Sequence, residues 1–229
     1  MHIAEGFLPL AHAVGWTVAS SPFVLHGGRQ LIHQMKVDPE SRLLIGAAGG
    51  VTFIFSALKL PSLAGSSSHP TGTGLGAVLF GPPSMALIGT IVLLFQAILL
   101  AHGGLTTLGA NVFSMAIVGP WAAWIIFQLS RQIGIGLKPA AGLAAAIGDL
   151  TTYLMTAFQL ALAFPDKTSG VAGSFIKFTS IYAITQIPLA IIEGLVTASL
   201  IGLLATLPGQ LHGERHWLKM TSILRKEEG

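Results

Sequence analysis

The sequence predicts an all-α membrane protein, a single bundle of about seven transmembrane helices. Of its 229 residues, 52% are hydrophobic and only 9% are charged, against roughly 25% charged residues in soluble domains. The mean hydropathy is +0.73. Each crossing of a bilayer takes about 20 residues, so the chain has room for six or seven. We expect helices because open strands leave their backbone groups unsatisfied in lipid.

Seven apolar segments follow one another along the chain. The first is weakly hydrophobic because His12, Trp16 and Ser20 interrupt it. The third is rich in glycine and, at about nine residues, is too short to span a bilayer unaided. For this segment we expect a half-helix that lines a cavity. The predicted crossings are approximately 8–26, 43–60, 72–80, 83–101, 110–130, 139–164 and 173–207.

The lysines and arginines set the orientation of the bundle. With the N-terminus outside, the outer segments hold only Lys59, Lys167 and Lys177 of the 12 basic residues. A basic excess on the cytoplasmic side is the usual bias of membrane proteins. We therefore predict a multi-pass protein of the cytoplasmic membrane, one domain over 1–229, whose short tail 211–229 is cytoplasmic. The inner basic residues are Arg29, Lys36, Arg42, Arg131, Lys138, Arg215, Lys219, Arg225 and Lys226.

Several motifs are missing from the sequence, and their absence excludes classes of chemistry. There is no cysteine, so any metal must be held by nitrogen or oxygen atoms. No lysine follows a glycine, so the chain has no P-loop and cannot hydrolyse ATP by that route. It also lacks a His-Glu-x-x-His zinc motif and a Gly-x-Ser-x-Gly nucleophile elbow. We therefore predict a protein that is not an enzyme.

The first two residues form a candidate metal chelate. The Met1 amine, the His2 backbone nitrogen and the His2 Nδ1 atom can bind one ion together. They close a five-membered and a six-membered ring without backbone strain, and only a histidine at position 2 permits this pair of rings. A side chain as large as histidine should hinder removal of Met1. The segment also lacks the basic start of a signal peptide, and Glu5 and Pro9 interrupt it.

A second candidate ligand, His69, lies in the outer loop before the third crossing. Pro70 fixes the backbone beside it, and nearby serines and threonines, among them Ser68, could hydrogen-bond the ring nitrogen that does not face a metal. With the three nitrogens of Met1 and His2, His69 would complete a set of four. A planar set of this kind suits nickel or copper, or cobalt(II) in an imposed strong field. The alternative is a glycine-rich connection with an exposed histidine.

Three further residues are candidates for supporting roles around these ligands. His102, in the outer turn between the fourth and fifth crossings, could be an axial ligand or could tie the turn together. Asn111 lies near a helix start, where capping is the plain explanation. Glu5 could accept a hydrogen bond from the His2 imidazole, or it could be an acid favoured by the dipole at a helix start.

Two acids inside apolar runs, Asp149 and Glu193, support an alternative function. Ionisable groups within a membrane are costly and suggest function. The alternative is an autonomous proton-coupled metal-ion transporter that uses both acids and needs no ATPase partner. A third possibility is an intramembrane metalloenzyme with His69 and His102 as ligands, but no general base supports it.

Three segments of the chain form recognisable motifs: Met1-His2-Ile3-x-Glu5-Gly6-Phe7-Leu8-Pro9, Ser68-His69-Pro70-Thr71-Gly72-Thr73-Gly74 and His102-Gly103-Gly104-Leu105-Thr106-Thr107-Leu108-Gly109-Ala110-Asn111. Together they resemble the CbiM/NikM family, the substrate-binding membrane components of energy-coupling-factor transporters for cobalt and nickel. The resemblance covers essentially the whole chain. It implies seven transmembrane helices with the N-terminus inserted into a central outward-facing cavity. It also implies metal ligands at the Met1 amine, at the His2 amide nitrogen and imidazole, and at His69.

The resemblance further implies the cargo and the partners. The cargo would be Co²⁺ or Ni²⁺, and the chain would have no cofactor of its own. Glu5 and Phe7 resemble the cobalt branch, since the nickel branch more often has aspartate and tyrosine at these positions. The implied partners are a transmembrane coupling protein, a pair of ATPase subunits and often a small accessory membrane protein, with no nucleic acid. ATP hydrolysis would then take place on other chains.

Overall fold

The computed structural model describes residues 2–39, 41–58, 60–61 and 66–206. Over these residues the chain folds into seven helices and three very short strands, which confirms the all-α class. All seven predicted apolar segments are helical. The predicted tail 211–229 and Met1 lie outside the described residues. The helices are α1 (Leu10–Val37), α2 (Ser41–Ala57), α3 (Thr73–Phe80), α4 (Pro82–Leu100), α5 (Leu108–Gln132), α6 (Leu137–Ala163) and α7 (Gly170–Leu204).

Four of the described helices, α4 to α7, are long and apolar enough to cross a membrane, while α2 is apolar but shorter. Helix α1 has 28 residues and continues to Val37, well past the predicted end near residue 26. The extra turns carry Arg29 and Lys36, so the helix continues beyond its apolar part. On α7 the side chains of Ile184 and Leu195 point away from the protein, whereas Gln186 and Glu193 are buried. This distribution fits a helix with one face toward lipid.

Helix α3 is the short glycine-rich segment, and it is buried inside the bundle as expected for a half-helix. Gly72 precedes it with φ 67°, a conformation that favours glycine. At Gly74 the chain passes very close to α6, because a Cβ there would lie 2.6 Å from the Cα of Ala145. Glycine is therefore required for this packing.

Helices α6 and α7 also meet backbone to backbone. A Cβ built on Gly142 would lie 2.8 Å from the Gly194 carbonyl oxygen, and one built on Gly194 would lie 2.8 Å from the Gly142 carbonyl oxygen. Small residues permit this approach in membranes, where close packing drives helix association. The contact joins the two helices that carry Asp149 and Glu193.

Helix α5 is not a regular α-helix throughout. Its first turn, Leu108–Asn111, passes into a π-helical stretch, Val112–Val118, before the α-helix Gly119–Gln132. Such wide turns are rare and occur frequently at functional sites. Here the π-helical stretch directly follows Asn111.

The three strands form a small antiparallel sheet in the order β1-β3-β2. Strand β1 (His2–Ile3) pairs with β3 (Ser66–Ser68), so that His2 lies opposite Ser67. Strand β2 (Leu60–Pro61) pairs with the other edge of β3. The sheet therefore attaches the start of the chain to the segment that leads into His69.

Candidate metal centre

Three histidines from distant parts of the sequence meet in the described part of the chain. One side-chain nitrogen from each of His2, His69 and His102 lies within 4.8 Å of the others. The His2 ring centroid is 4.3 Å from that of His69 and 4.3 Å from that of His102, and the last two centroids are 4.9 Å apart. All three side chains are buried. The structure thus brings together the two predicted histidine ligands and the predicted axial or loop residue.

His2 is fixed by hydrogen bonds to the neighbouring residue Ile3. The Ile3 N–H donates to Asn111 Oδ1 at 2.8 Å, and Asn111 Nδ2 donates to the Ile3 carbonyl at 3.1 Å. The Thr107 hydroxyl donates to the same carbonyl at 2.8 Å. The Asn111 side chain thus pairs with both backbone groups of Ile3, as a neighbouring strand would. The predicted helix cap does not describe this role. The Ile3 side chain is fully buried and packs in an apolar cluster with Leu160 and Tyr182.

The protonation of the His69 ring is directed by its own loop. Its Nδ1 lies 2.8 Å from the Pro70 carbonyl oxygen, which can only accept a hydrogen bond. Nδ1 therefore carries the proton in the neutral ring, and the lone pair is on Nε2. This Nε2 atom is in direct contact with Nδ1 of His2. The expected serine or threonine partner is replaced by the Pro70 carbonyl, and Ser68 instead accepts a hydrogen bond from Thr185 at 2.8 Å.

His102 completes the cluster from the outer turn. Its Nε2 atom lies 2.7 Å from the Ser67 hydroxyl oxygen in β3, and its backbone N–H donates to the Gln96 carbonyl at 3.1 Å. Ala101, with φ 46°, and Gly103, with φ 78°, turn the chain on either side of it. The first contact joins the turn to the sheet and the second joins it to the end of α4.

The Glu5 carboxylate accepts hydrogen bonds from the outer turn, at Thr106, and not from the His2 ring. The Thr106 hydroxyl donates to Glu5 Oε1 at 2.6 Å, and the Thr106 backbone N–H donates to the same carboxylate. These hydrogen bonds lower the pKa of the Glu5 carboxyl. Gly104 permits the close approach, because a Cβ there would lie 2.5 Å from the Glu5 Cα. The carboxylate is exposed. Over the described residues, the predicted hydrogen bond from His2 to Glu5 is replaced by this link to Thr106.

The environment of the cluster favours neutral imidazoles. Burial lowers the pKa of His2 and of His69 well below 6.5, and repulsion from nearby positive charge lowers both further. Neutral rings expose the lone pairs that a metal ion requires. The donors in the cluster are all nitrogen, a chemistry that suits divalent cobalt, nickel or copper. The Met1 amine, the other predicted donor, lies outside the described residues.

Beneath the cluster, buried polar side chains of α6 and α7 hold the His69 loop. Gln186 Nε2 donates to the His69 carbonyl at 3.2 Å and to both carboxylate oxygens of Asp149, at 2.8 and 2.7 Å. Glu193 accepts from the Thr71 hydroxyl at 2.9 Å. It also accepts from the backbone N–H groups of Thr71 and, at 2.9 Å, of Gly72. The two acids singled out from the sequence thus both support this loop.

Two contacts of this arrangement carried no prediction: the Thr107 hydroxyl holds Ile3, and the Pro70 carbonyl directs the His69 ring. Gln186, which holds the His69 carbonyl, is a polar side chain in an apolar run, and that pattern predicts a functional or hydrogen-bonding role. Nothing in the sequence distinguishes the Pro70 carbonyl from other backbone carbonyls.

Comparison with known proteins gives concordant results. The CbiM family, described as the cobalt uptake substrate-specific transmembrane region, matches residues 2–210. The chain is 62% identical over 204 residues to the cobalt transport protein CbiM of Streptomyces coelicolor, covering 89% of this chain and 88% of that protein. It is 59% identical over 197 residues to the cobalt transport protein CbiM 2 of Pelobacter propionicus, covering 86% and 87%.

A solved structure also resembles the whole fold. A crystal structure of a transition metal transporter superposes with a TM-score of 0.78 at 22% identity, covering 94% of this chain and 99% of that one. A truncated transition metal transporter gives a TM-score of 0.73 at 22% identity, over 90% of this chain and 96% of that one. At this identity the likeness supports the fold alone.

Proposed function

Since the chain belongs to the CbiM family of cobalt uptake substrate-specific transmembrane regions, we propose that it is the substrate-capture subunit of an ATP-driven energy-coupling-factor importer for Co²⁺. The observation that carries this proposal is the convergence of His2 and His69, whose facing ring nitrogens lie in a buried cluster of nitrogen donors. The description of the family supports cobalt as the cargo. Ni²⁺ is the alternative cargo, because the same donors suit it.

The proposed ligands are the Met1 amine, the His2 backbone nitrogen after loss of its amide proton, Nδ1 of His2 and Nε2 of His69. Two observations support this set. The His2 nitrogen that faces His69 is Nδ1, the atom that closes the six-membered chelate ring. The His69 proton lies on the opposite side of its ring, at Pro70. His102 adjoins both rings and supports the cluster through its bond to Ser67.

Capture then follows from the way the chain start is held. The ion enters from outside, and its ligands come from the N-terminal strand and from the loop before α3. Hydrogen bonds with Asn111 and pairing in the sheet hold that strand beside the His69 loop. The buried, neutral rings need lose no proton at neutral pH.

Release requires partners in this proposal. The sequence has no P-loop, so the ATPase subunits are separate chains, joined to this one by a transmembrane coupling subunit and accompanied by a small accessory membrane subunit. Their movement would open the His69 loop toward the cytoplasm. The rival, an autonomous proton-coupled transporter, would use Asp149 and Glu193 for protons. In this structure both acids accept hydrogen bonds that hold the loop.

The decisive experiment measures Co²⁺ binding to the purified protein with its native start, by elemental analysis and by titration. We expect one ion per chain. His69→Ala should abolish binding, and one extra residue before Met1 should weaken it by orders of magnitude because it displaces the amine. His12→Ala, a histidine of α1 outside the cluster, is the matched control and should bind normally.

Two outcomes would contradict the proposal. Unchanged Co²⁺ affinity after the N-terminal extension would refute the chelate. Uptake by this chain alone in vesicles, collapsed when the pH gradient is dissipated, would favour the proton-coupled rival over an importer that depends on an ATPase.

A further inference from the structure

Gln96 is a fully buried amide in the apolar helix α4, close to the histidine cluster. Its backbone carbonyl accepts from the His102 N–H at 3.1 Å, and the His102 ring lies 4.3 Å from the His2 ring. A polar side chain in a membrane helix is costly unless its hydrogen bonds are satisfied. The partners of this amide therefore indicate why it lies there.

The nitrogen of the Gln96 amide is fixed by α2. Nε2 donates to the Ser56 hydroxyl oxygen at 2.6 Å and to the Phe53 carbonyl at 3.3 Å. The Phe53 carbonyl can only accept, and Ser56 gives its own proton to the Thr52 carbonyl, so both contacts require an N–H group. This assigns the orientation of the amide from its hydrogen bonds, as such assignments must be made. The amide oxygen consequently points the other way.

That oxygen and one nitrogen of His2 complement each other. Gln96 Oε1 and His2 Nε2 are both buried, and over the described residues neither atom has a hydrogen-bond partner. Burial lowers the pKa of His2, and the nearby Gln96 side chain opposes that shift. This is the effect of an acceptor that receives a ring N–H.

We infer that Gln96 is the positioning residue of the capture site, whose amide oxygen accepts the Nε2 proton of His2 and so leaves the lone pair on Nδ1. The inference rests on the proposed function, since Nδ1 matters because it closes the chelate ring. A proton on Nδ1 would block that ring, and it would leave the Gln96 oxygen buried without a donor.

The alternative tautomer has its own acceptor, which makes the competition testable. Without metal, a proton on His2 Nδ1 could be shared with Nε2 of His69, the atom in contact with it. Gln96 draws the proton to the far side of the ring, as the Pro70 carbonyl does for His69. Both lone pairs then face one point, where a cation can bind them together. Removing the Gln96 oxygen would let the two rings share a proton in the place of the ion.

The test compares Gln96→Met with the unaltered protein, both with the native start and with ¹⁵N-labelled histidine in lipid nanodiscs. In the metal-free unaltered protein, ¹⁵N chemical shifts should show the His2 proton on Nε2. In Gln96→Met the proton should move toward Nδ1. Affinity for Co²⁺ should fall by about 10- to 100-fold, the usual effect of removing a partner of a ligating histidine. Gln96→Glu, which keeps an acceptor oxygen, should restore the Nε2 tautomer.

Gln159→Met is the matched control. Gln159 is another fully buried amide, which donates to the Ala110 carbonyl at 3.0 Å and is not part of the histidine cluster. It should leave the tautomer unchanged. A His2 proton on Nδ1 in the metal-free unaltered protein would overturn the inference, even if Gln96→Met did not fold. So would Gln96→Met with unaltered tautomer and affinity. Failure of the unaltered protein to bind Co²⁺ would instead count against the proposed function.

Discussion

Asn111→Ala should weaken metal capture without touching a ligand. The Asn111 side chain accepts from the Ile3 N–H at 2.8 Å and donates to the Ile3 carbonyl at 3.1 Å, in a fully buried setting. Truncation leaves the Ile3 N–H without an acceptor. The carbonyl keeps its bond from the Thr107 hydroxyl, so a single group is orphaned.

The structure sets the size of this effect. An unsatisfied buried donor costs about 1–3 kcal/mol. If the strand must be docked to bind the ion, that energy is taken from binding. Each 1.4 kcal/mol corresponds to about tenfold in affinity, so Asn111→Ala should raise the Kd for Co²⁺ by roughly 5- to 150-fold. Thr107→Val is the milder comparison, because the Ile3 carbonyl then keeps its bond from Asn111.

The assay is a competition titration with Co²⁺, combined with hydrogen exchange at the Ile3 amide. We expect faster exchange and weaker binding in Asn111→Ala, and smaller changes in both for Thr107→Val. Wild-type affinity in Asn111→Ala, with the Ile3 amide exchanging rapidly, would refute the reasoning, since the ion would then bind without the docked strand.

Further predictions concern pH, the loop support and the outer turn. Co²⁺ affinity should rise between about pH 6 and 8, where a terminal amine titrates and must lose its proton to bind. The imidazoles, whose pKa burial lowers, remain neutral there and add a further loss only at lower pH; a flat titration series over this range would contradict the amine ligand. Glu193→Gln places an NH₂ group against N–H donors, so the purified protein should melt at a lower temperature and bind Co²⁺ more weakly; an unchanged melting curve would count against the clamp on Thr71 and Gly72. Glu5→Gln should change affinity by only about twofold, as for most exposed positions, and a loss comparable to that of His69→Ala would show that Glu5 acts on the ligands directly.

Most of the helical architecture could be predicted because membrane helices follow from apolar composition and length. The end of α1 could not be predicted in this way. Its last turns contain Arg29 and Lys36, so the hydropathy falls while the helix continues. The π-helical stretch Val112–Val118 carries no sequence pattern that separates it from an ordinary helix. The strands are two or three residues long, too short for an alternating pattern to mark them.

Only part of the candidate site could be predicted from the sequence. The chelate proposed at His2 was predicted from covalent geometry alone, because a histidine at position 2 can close both rings without help from the fold. The meeting of His69 and His102 with His2 depends on long-range packing, and no spacing between them encodes it. Asp149 and Glu193 were conspicuous because acids in lipid are costly. Their partners at the His69 loop became visible only in three dimensions.

The backbones of Gly142 and Gly194 are in direct contact, so α6 and α7 should move as one rigid unit. Asp149 lies on α6 and Glu193 on α7, and no flexible side chain separates the two backbones at this contact. Gln186 and Glu193 of α7 accept from or donate to the His69 loop, so a movement of α7 would displace that loop. In the proposed importer, a partner that moved α7 would thereby act on the proposed ligand His69 without contacting it.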